Sequence, residues 1–311
     1  MNSSLGSSKN AKTLNIQGLI WSLGCVLALG FSGFIDKIGS GKMSNPLWYS
    51  LITLISAVFV SFLYMKFIKK VPIAKIIKSH KSFLWILVIL GINSSGIFIL
   101  LRFYGLKDST ATFVTLSQII TSVLTVFFAS IVFKEYLPPV FKYLFPIILL
   151  ATYFFSTGKI QFIAMKHGDL LVLLAALLLA MGNMFGKTAS KHFDASVVTV
   201  GRVFWGFIFV LVSIILTGSY SIVLNNVLLF PVLSGIITAV NFICYYEGIK
   251  RCGVGFTTSL LIISPLITKA LSLLFLSEKI NTIQTISFII ILIFGYAIIH
   301  SAFYEKSDVS V

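Results

Sequence analysis

The sequence predicts an all-α integral membrane protein: ten transmembrane helices arranged as two inverted five-helix repeats. Three observations carry this prediction. Of 311 residues, 58% are hydrophobic and only 11% are charged, against roughly 45–50% and roughly 25% in soluble domains. The apolar residues fall in long blocks, each near the roughly 20 residues that a membrane helix needs. Two stretches of about 30 residues also resemble each other at a constant offset.

The blocks follow in order. Gly18–Ile38 is rich in small residues and closes on Lys37. Pro46–Phe67 runs into the basic segment "KFIKKVPIAKIIKSHK" (Lys66–Lys81). Ser82–Gly105 holds Asn93, Ser94 and Ser95 between Gly91 and Gly96. A short connection leads to Ser109–Phe133, where Gln118, Thr121, Ser122 and Thr125 share a stripe, with Thr115 one turn earlier. Pro139–Ser156 closes the first half. Asp169–Lys187 carries Asn183 and the pair Gly182–Gly186, a GxxxG spacing read as helix packing. Ala195–Thr217 contains Arg202, and Val227–Ile249 sets Asn241 and Tyr245 four residues apart. A second short connection, Ile249–Val254, leads to Val254–Leu276 with Ser259, Ser264 and Lys269, and Ile283–Phe303 is last.

The formal charge of +15 does not indicate a nucleic-acid partner, because the lysines flank apolar spans and form no soluble basic face. With the N-terminus inside, fifteen Lys and Arg fall on the inner side and seven on the outer, and Arg202 and Lys269 lie within spans. This excess places both termini in the cytoplasm and the chain in the cell (inner) membrane. Cys25, Cys244 and Cys252 lie in or beside spans and read as packing residues, not disulfides. The first 16 residues are polar with no cleavage site after the first span, so no removed signal peptide is expected.

The repeat aligns Tyr104–Glu135 with Glu247–Glu278 at an offset of 143, without a gap. Gly105 meets Gly248, Phe113 meets Phe256 and Glu135 meets Glu278. The first helices match at an offset of 150, Gly18 on Gly168 and Lys37 on Lys187. The organisation is a tail (1–17), a first repeat (18–156), a linker (157–167), a second repeat (168–303) and a tail (304–311). Five spans is an odd number, so the second repeat enters from the opposite side, as in transporters with a site at the midplane.

Each unit opens with Gly and a small-residue-rich helix ending in Lys, and its fourth helix closes on Glu after "FFASIVFKE" or "LSLLFLSE". In these features the chain resembles the EamA family of the drug/metabolite transporter superfamily. The resemblance implies a secondary transporter with alternating access. It also implies that the third, fourth, eighth and ninth helices, with the first and sixth, surround the cavity. Arg202 resembles an arginine often found in the second helix of such repeats.

Polar groups at membrane depth need partners. The substrate-binding candidates are Lys269, Arg202, Asn93, Gln118, Thr121, Asn183, Asn241 and Tyr245; Glu135 and Glu278 are candidates for gating or for helix ends. No acid is placed to pair with Arg202 or Lys269, since the nine acids sit at span ends, loops or tails, with Glu247 about one turn inside. Both cations are absent from the matching half, where Thr53 and Val126 stand. Lys269 therefore reads as an anion-binding group, a structural lysine or a proton-coupling group.

"GSGKMS" lacks the glycine and hydroxyl of a phosphate loop, and the four histidines are scattered. No cofactor, metal or enzymatic chemistry is expected. The expected partners are the lipid bilayer, a small-molecule substrate and a coupling proton or cation. The expected substrate is an amino acid or related carboxylate-bearing metabolite. A vitamin, phosphorylated metabolite or drug-like solute is the alternative, and a lipid-modifying membrane enzyme is the non-transporter one.

Overall fold

The computed structural model describes residues 16–43, 45–72, 81–134, 139–160, 165–220, 228–277 and 279–304. These residues fold into α1 (Ile16–Lys42), α2 (Pro46–Leu63) with a π turn at Tyr64–Ile68, and α3 (Leu84–Leu106), whose centre, Ile92–Ile97, is π-helical. There follow α4 (Ala111–Val132), α5 (Val140–Thr157), α6 (His167–Ala189), α7 (Ala195–Thr217), α8 (Leu229–Leu260), α9 (Ser264–Phe275) and α10 (Thr282–Tyr304). Seven of the described helices are long and apolar enough to cross a membrane, and three shorter apolar ones accompany them.

Short-range chemistry sets several boundaries. Asn45 caps α2 by accepting the Leu47 amide at 2.9 Å, with Pro46 at the first helical position. Gly158 and Gly218 end α5 and α7 in the left-handed conformation that favours glycine. Asp194 caps α7, accepting from Ser196 N at 3.0 Å and Ser196 Oγ at 2.9 Å, and pairs with Lys250 at 3.1 Å. Partial burial raises its pKa, but the Ser196 hydrogen bonds and Lys250 outweigh burial and hold it below the usual carboxylate value. A depressed folded pKa gives stability that is present above the unfolded pKa and lost as pH falls through the folded one. Asp194→Ala should therefore cost about 1 kcal/mol at neutral pH, and the gap from wild type should shrink on acidification. Parallel thermal melts at pH 7 and pH 3 would check this; a gap that widens with acid would contradict it.

The burial pattern is that of a protein dissolved in lipid. Ser22, Ser50, Thr53, Ser94, Ser95 and Thr199 are fully buried, while Phe59, Ile215, Leu216, Leu274 and Phe275 face outward. Small polar residues inside allow close helix approach, and apolar residues outside match the hydrocarbon. The protein is thus an all-helical, multi-pass membrane protein.

The helices exchange partners between halves. α1 packs along α8 and α9, and α6 packs along α3 and α4. α2 lies on α8 and α7 on α3, while the two equivalent pairs α2–α7 and α5–α10 touch each other. Direction is readable from the contacts. Along α4, Ser109, Thr121 and Thr125 meet Asp169, Ala176 and Asn183 in ascending order, so α6 runs parallel to it. Lys37 bonds the Ser109 carbonyl while a Cβ on Gly33 would press on Thr115 and the Ala111 carbonyl, so α1 runs antiparallel to α4.

The sequence predicts a break at Ile249–Val254, but the backbone is helical throughout Leu229–Leu260. Nine residues of straight helix would separate Gly248 from Thr257 by roughly 13.5 Å. Instead, a Cβ on Gly248 would lie 3.1 Å from Thr257 Oγ1. The pairs Asp36–Ser234, Cys25–Asn241 and Trp21–Arg251 descend α1, whereas Ser22–Thr257 and Gly30–Thr268 ascend it. The connection is therefore a helical reversal and not an irregular loop. A short 3-10 turn, Leu261–Ile263, separates it from α9.

Candidate functional site

A cavity of about 50 Å³ lies among α1, α4, α6, α7 and α8, lined by Leu29, Gln118, Thr121, Ser122, Leu179, Asn183, Arg202, Asn241, Phe242, Tyr245 and Leu261. A second lobe of about 40 Å³ shares Leu29, Gln118, Leu179, Asn241 and Phe242 with it, and extends past Ser32 and Thr238 to Asp36 and Arg102. Six of the eight candidate residues therefore line one space: Arg202, Gln118, Thr121, Asn183, Asn241 and Tyr245.

Among the described residues Arg202 is the largest fully buried side chain, 1% exposed. Its Nε donates to Ser95 Oγ at 3.2 Å, Nη1 to the Tyr246 hydroxyl at 3.2 Å and Nη2 to the Ser94 carbonyl at 3.1 Å. The Phe242 ring lies 3.9 Å beneath its guanidinium carbon, within cation–π distance. The cradle depends on the π-helical centre of α3, since such turns redirect backbone groups that an α-helix would keep for itself. Gly91 and Gly96 on α3 and Gly206 on α7 bring the two helices close enough, because a Cβ at any of them would press into the facing helix. All of the partners found for Arg202 are neutral, so its charge enters the cavity wall without a carboxylate.

The other candidates are held by local bonds. Thr121 Oγ1 bridges to the Ala176 carbonyl at 3.3 Å, and Asn183 Nδ2 donates to Thr125 Oγ1 at 3.1 Å, tying α6 to α4. Asn241 Oδ1 accepts from Cys25 Sγ at 2.9 Å, and Cys25 and Cys244 are free buried thiols. Asn93 is not on the cavity wall; its amide braces α6 at the Leu178 carbonyl, 2.9 Å away. Lys269 is not on it either, and its Nζ sits 4.6 Å above the Phe288 ring of α10. Glu135 and Glu278 lie outside the described residues.

The residues that sequence reasoning missed are Asp36 and Arg102, with Phe242, Tyr246, Ser94 and Ser95. Asp36 was expected at a span end, but α1 continues to Lys42, so Asp36 lies more than one turn inside it and is 2% exposed. Its Oδ2 pairs with Arg102 Nη2 at 2.8 Å, and its Oδ1 accepts from Ser234 Oγ on α8. At the other end of α1, Glu247 is paired with Lys69 and Arg251 and accepts from the Tyr64 hydroxyl at 3.2 Å. Ionic clusters thus close the bundle on both sides of the cavity. One signal was available for each residue alone: an Asp inside a small-residue helix, and an Arg in an apolar run 66 residues later.

Comparison with known proteins places this architecture. A family model described as the EamA-like transporter family matches the chain twice, over residues 16–157 and 166–300. Among solved structures, one described only as "Crystal structure of protein" is 15% identical to this chain, with a TM-score of 0.64. It covers 96% of this chain and 100% of its own. At that identity the likeness concerns the fold alone. Comparison with curated proteins gave no match.

Proposed function

The chain belongs to the EamA-like transporter family, and from that premise we propose that it is a secondary transporter of a small organic anion, an amino acid or related carboxylate-bearing metabolite. The protein is a membrane transporter of the drug/metabolite type. The substrate class rests on one observation, the buried guanidinium of Arg202 in the cavity wall with only neutral partners. A buried charge without a counter-ion costs several kcal/mol, so an anion that supplies the missing charge is favoured there. Arginine also matches a carboxylate through two parallel hydrogen bonds.

We read ten crossings in two inverted repeats, 18–156 and 168–303. The exchanged packing of α1 and α6, their opposite directions along α4 and the reversal near Gly248 support this reading. With both termini inside, the Asp36 cluster lies toward the outer face and the Glu247 cluster toward the inner. The main cavity, at about 50 Å³, has room for three or four waters at roughly 15 Å³ each, so a metabolite enters only when the helices part. We read this as a closed stage of alternating access.

Thermal-shift screening of the purified protein against pooled metabolites tests the substrate class, because a ligand specific to the folded state raises apparent stability. A carboxylate hit is expected. Preference for neutral or cationic solutes would refute the reading, and preference for phosphorylated compounds would move it to the other anion class. Lys269→Met should leave the affinity for the hit within about twofold, because loss of an exposed-type cation–π contact is worth about 0.5–1 kcal/mol and acts on packing. A loss of binding in that variant would return Lys269 to the site.

A further inference from the structure

We propose that Asp36 is the proton-binding site of the transport cycle, and that its protonation releases Arg102 and opens the α1–α3–α8 end of the cavity. The proposal rests on the transporter reading. Among the described residues the buried acids are Asp36, Asp169 and Glu247, and of these only Asp36 lines the cavity.

One carboxylate joins three helices. From α1, Asp36 holds Arg102 on α3 at 2.8 Å and Ser234 on α8. Arg102 Nη2 also returns to α1 through Ser32 Oγ at 3.1 Å. Among the described residues the charged and titratable neighbours are few. Arg102 faces Asp36 from α3, and the Tyr49 hydroxyl lies beside it from α2. Its chain neighbour Lys37 turns away to the carbonyls of Leu106 and Ser109. α8 presents Ser234. The switch is therefore a single carboxylate against a single guanidinium.

Protonation has an asymmetric effect. A neutral carboxyl keeps a hydrogen-bonding partner in Ser234, whereas Arg102 loses its counter-ion in a buried setting. Arg102 already has an unmet donor, since its buried Nε finds no acceptor. It therefore gains by moving toward the adjoining lobe, where water or a substrate anion supplies acceptors. That lobe, at about 40 Å³, has room for two or three waters at roughly 15 Å³ each, which gives a proton a path from the main cavity to Asp36. The proton frees a cation that an anion can satisfy, so the two load together and cross in the same direction.

The test needs no substrate. Cys25, Cys244 and Cys252 are replaced by Ser, and Thr238, which lines the lobe, is replaced by Cys. The rate of modification of the Thr238→Cys protein by a charged methanethiosulfonate is measured in detergent from pH 8 to pH 5. Thiolate is the reacting form, so chemistry alone slows modification as pH falls. The expected result is a several-fold rise on acidification once each rate is divided by the thiolate fraction at that pH. Adding Asp36→Asn should give fast modification at pH 8 and leave only the falling thiolate slope. Arg102→Gln, which also removes the pair, should do the same and serves if Asp36→Asn does not fold. A profile that follows the thiolate slope with Asp36 present overturns the proposal, as does an acid-induced rise that survives Asp36→Asn. Either failure leaves the transporter assignment standing, and a failed substrate screen leaves this readout intact.

Discussion

Replacing Arg202 with methionine is expected to reduce binding and transport of the anionic substrate about a hundredfold, with the protein still folded. Truncating one partner of a buried, hydrogen-bonded charge pair costs about 2–5 kcal/mol, and each 1.4 kcal/mol is roughly a factor of ten. The fold survives because two effects oppose each other. The Ser94 carbonyl, Ser95 and Tyr246 lose their donor, about 1–3 kcal/mol for each group left unmet. In return, a buried cation without a carboxylate is removed, which relieves a desolvation cost of several kcal/mol. Methionine refills part of the volume over Phe242. Arg202→Lys keeps the charge but satisfies fewer of the three acceptors and loses the planar fork, so an intermediate loss is expected. Uptake of the screening hit into proteoliposomes, alongside its thermal shift, measures both. A methionine variant that binds the hit with wild-type affinity would remove Arg202 from the site.

Gly168→Ala is expected to destabilise the protein by about 3 kcal/mol, the upper end of ordinary overpacking, and Gly168→Leu to prevent its accumulation. A Cβ at Gly168 would press on the Gly105 carbonyl, and a Cβ at Gly105 would lie 2.7 Å from the Gly168 carbonyl. Both obstacles are backbone, so no rotamer change relieves them, and α3 and α6 must separate. That movement would displace Asn93 from Leu178 and loosen the cradle of Arg202. Gly41→Ala is the control, because nothing lies within 4 Å of a Cβ there. It should be neutral or stabilising by up to about 1 kcal/mol through helix propensity. Thermal stability followed by size-exclusion chromatography compares the three; equal melting curves for Gly168→Ala and Gly41→Ala would contradict the packing argument.

Gly105 and Gly168 also show why part of the fold was legible. Each is a member of a repeated pair in the sequence, matching Gly248 and Gly18. In the structure Gly105 and Gly168 meet backbone to backbone, and Gly248 approaches Ser22, one turn from Gly18. A duplicated fold needs its close contacts twice, so the requirement was written twice. The polar stripe of α4 was legible for another reason. Gln118 and Thr121 share a helical face, and polar groups at that depth turn inward, where Asn183 and Asn241 do the same.

The sequence by itself determined the membrane class, the helices and their approximate limits, and the repeat, because span length, apolar composition and internal similarity are properties of the linear chain. Only the tertiary structure decided which mid-depth cation reaches the cavity. Arg202 and Lys269 are equivalent in hydropathy, but α7 packs against the π-helical centre of α3 and aims Arg202 inward, while α9 lays Lys269 on Phe288. The Asp36–Arg102 pair joins residues 66 apart in the chain, and the cradle of Arg202 uses a backbone carbonyl that no residue type announces. Both exist only once helices distant in sequence pack side by side. The reversal after Gly248 was legible as the short connection Ile249–Val254; what only the structure decided is that its backbone stays helical as it turns.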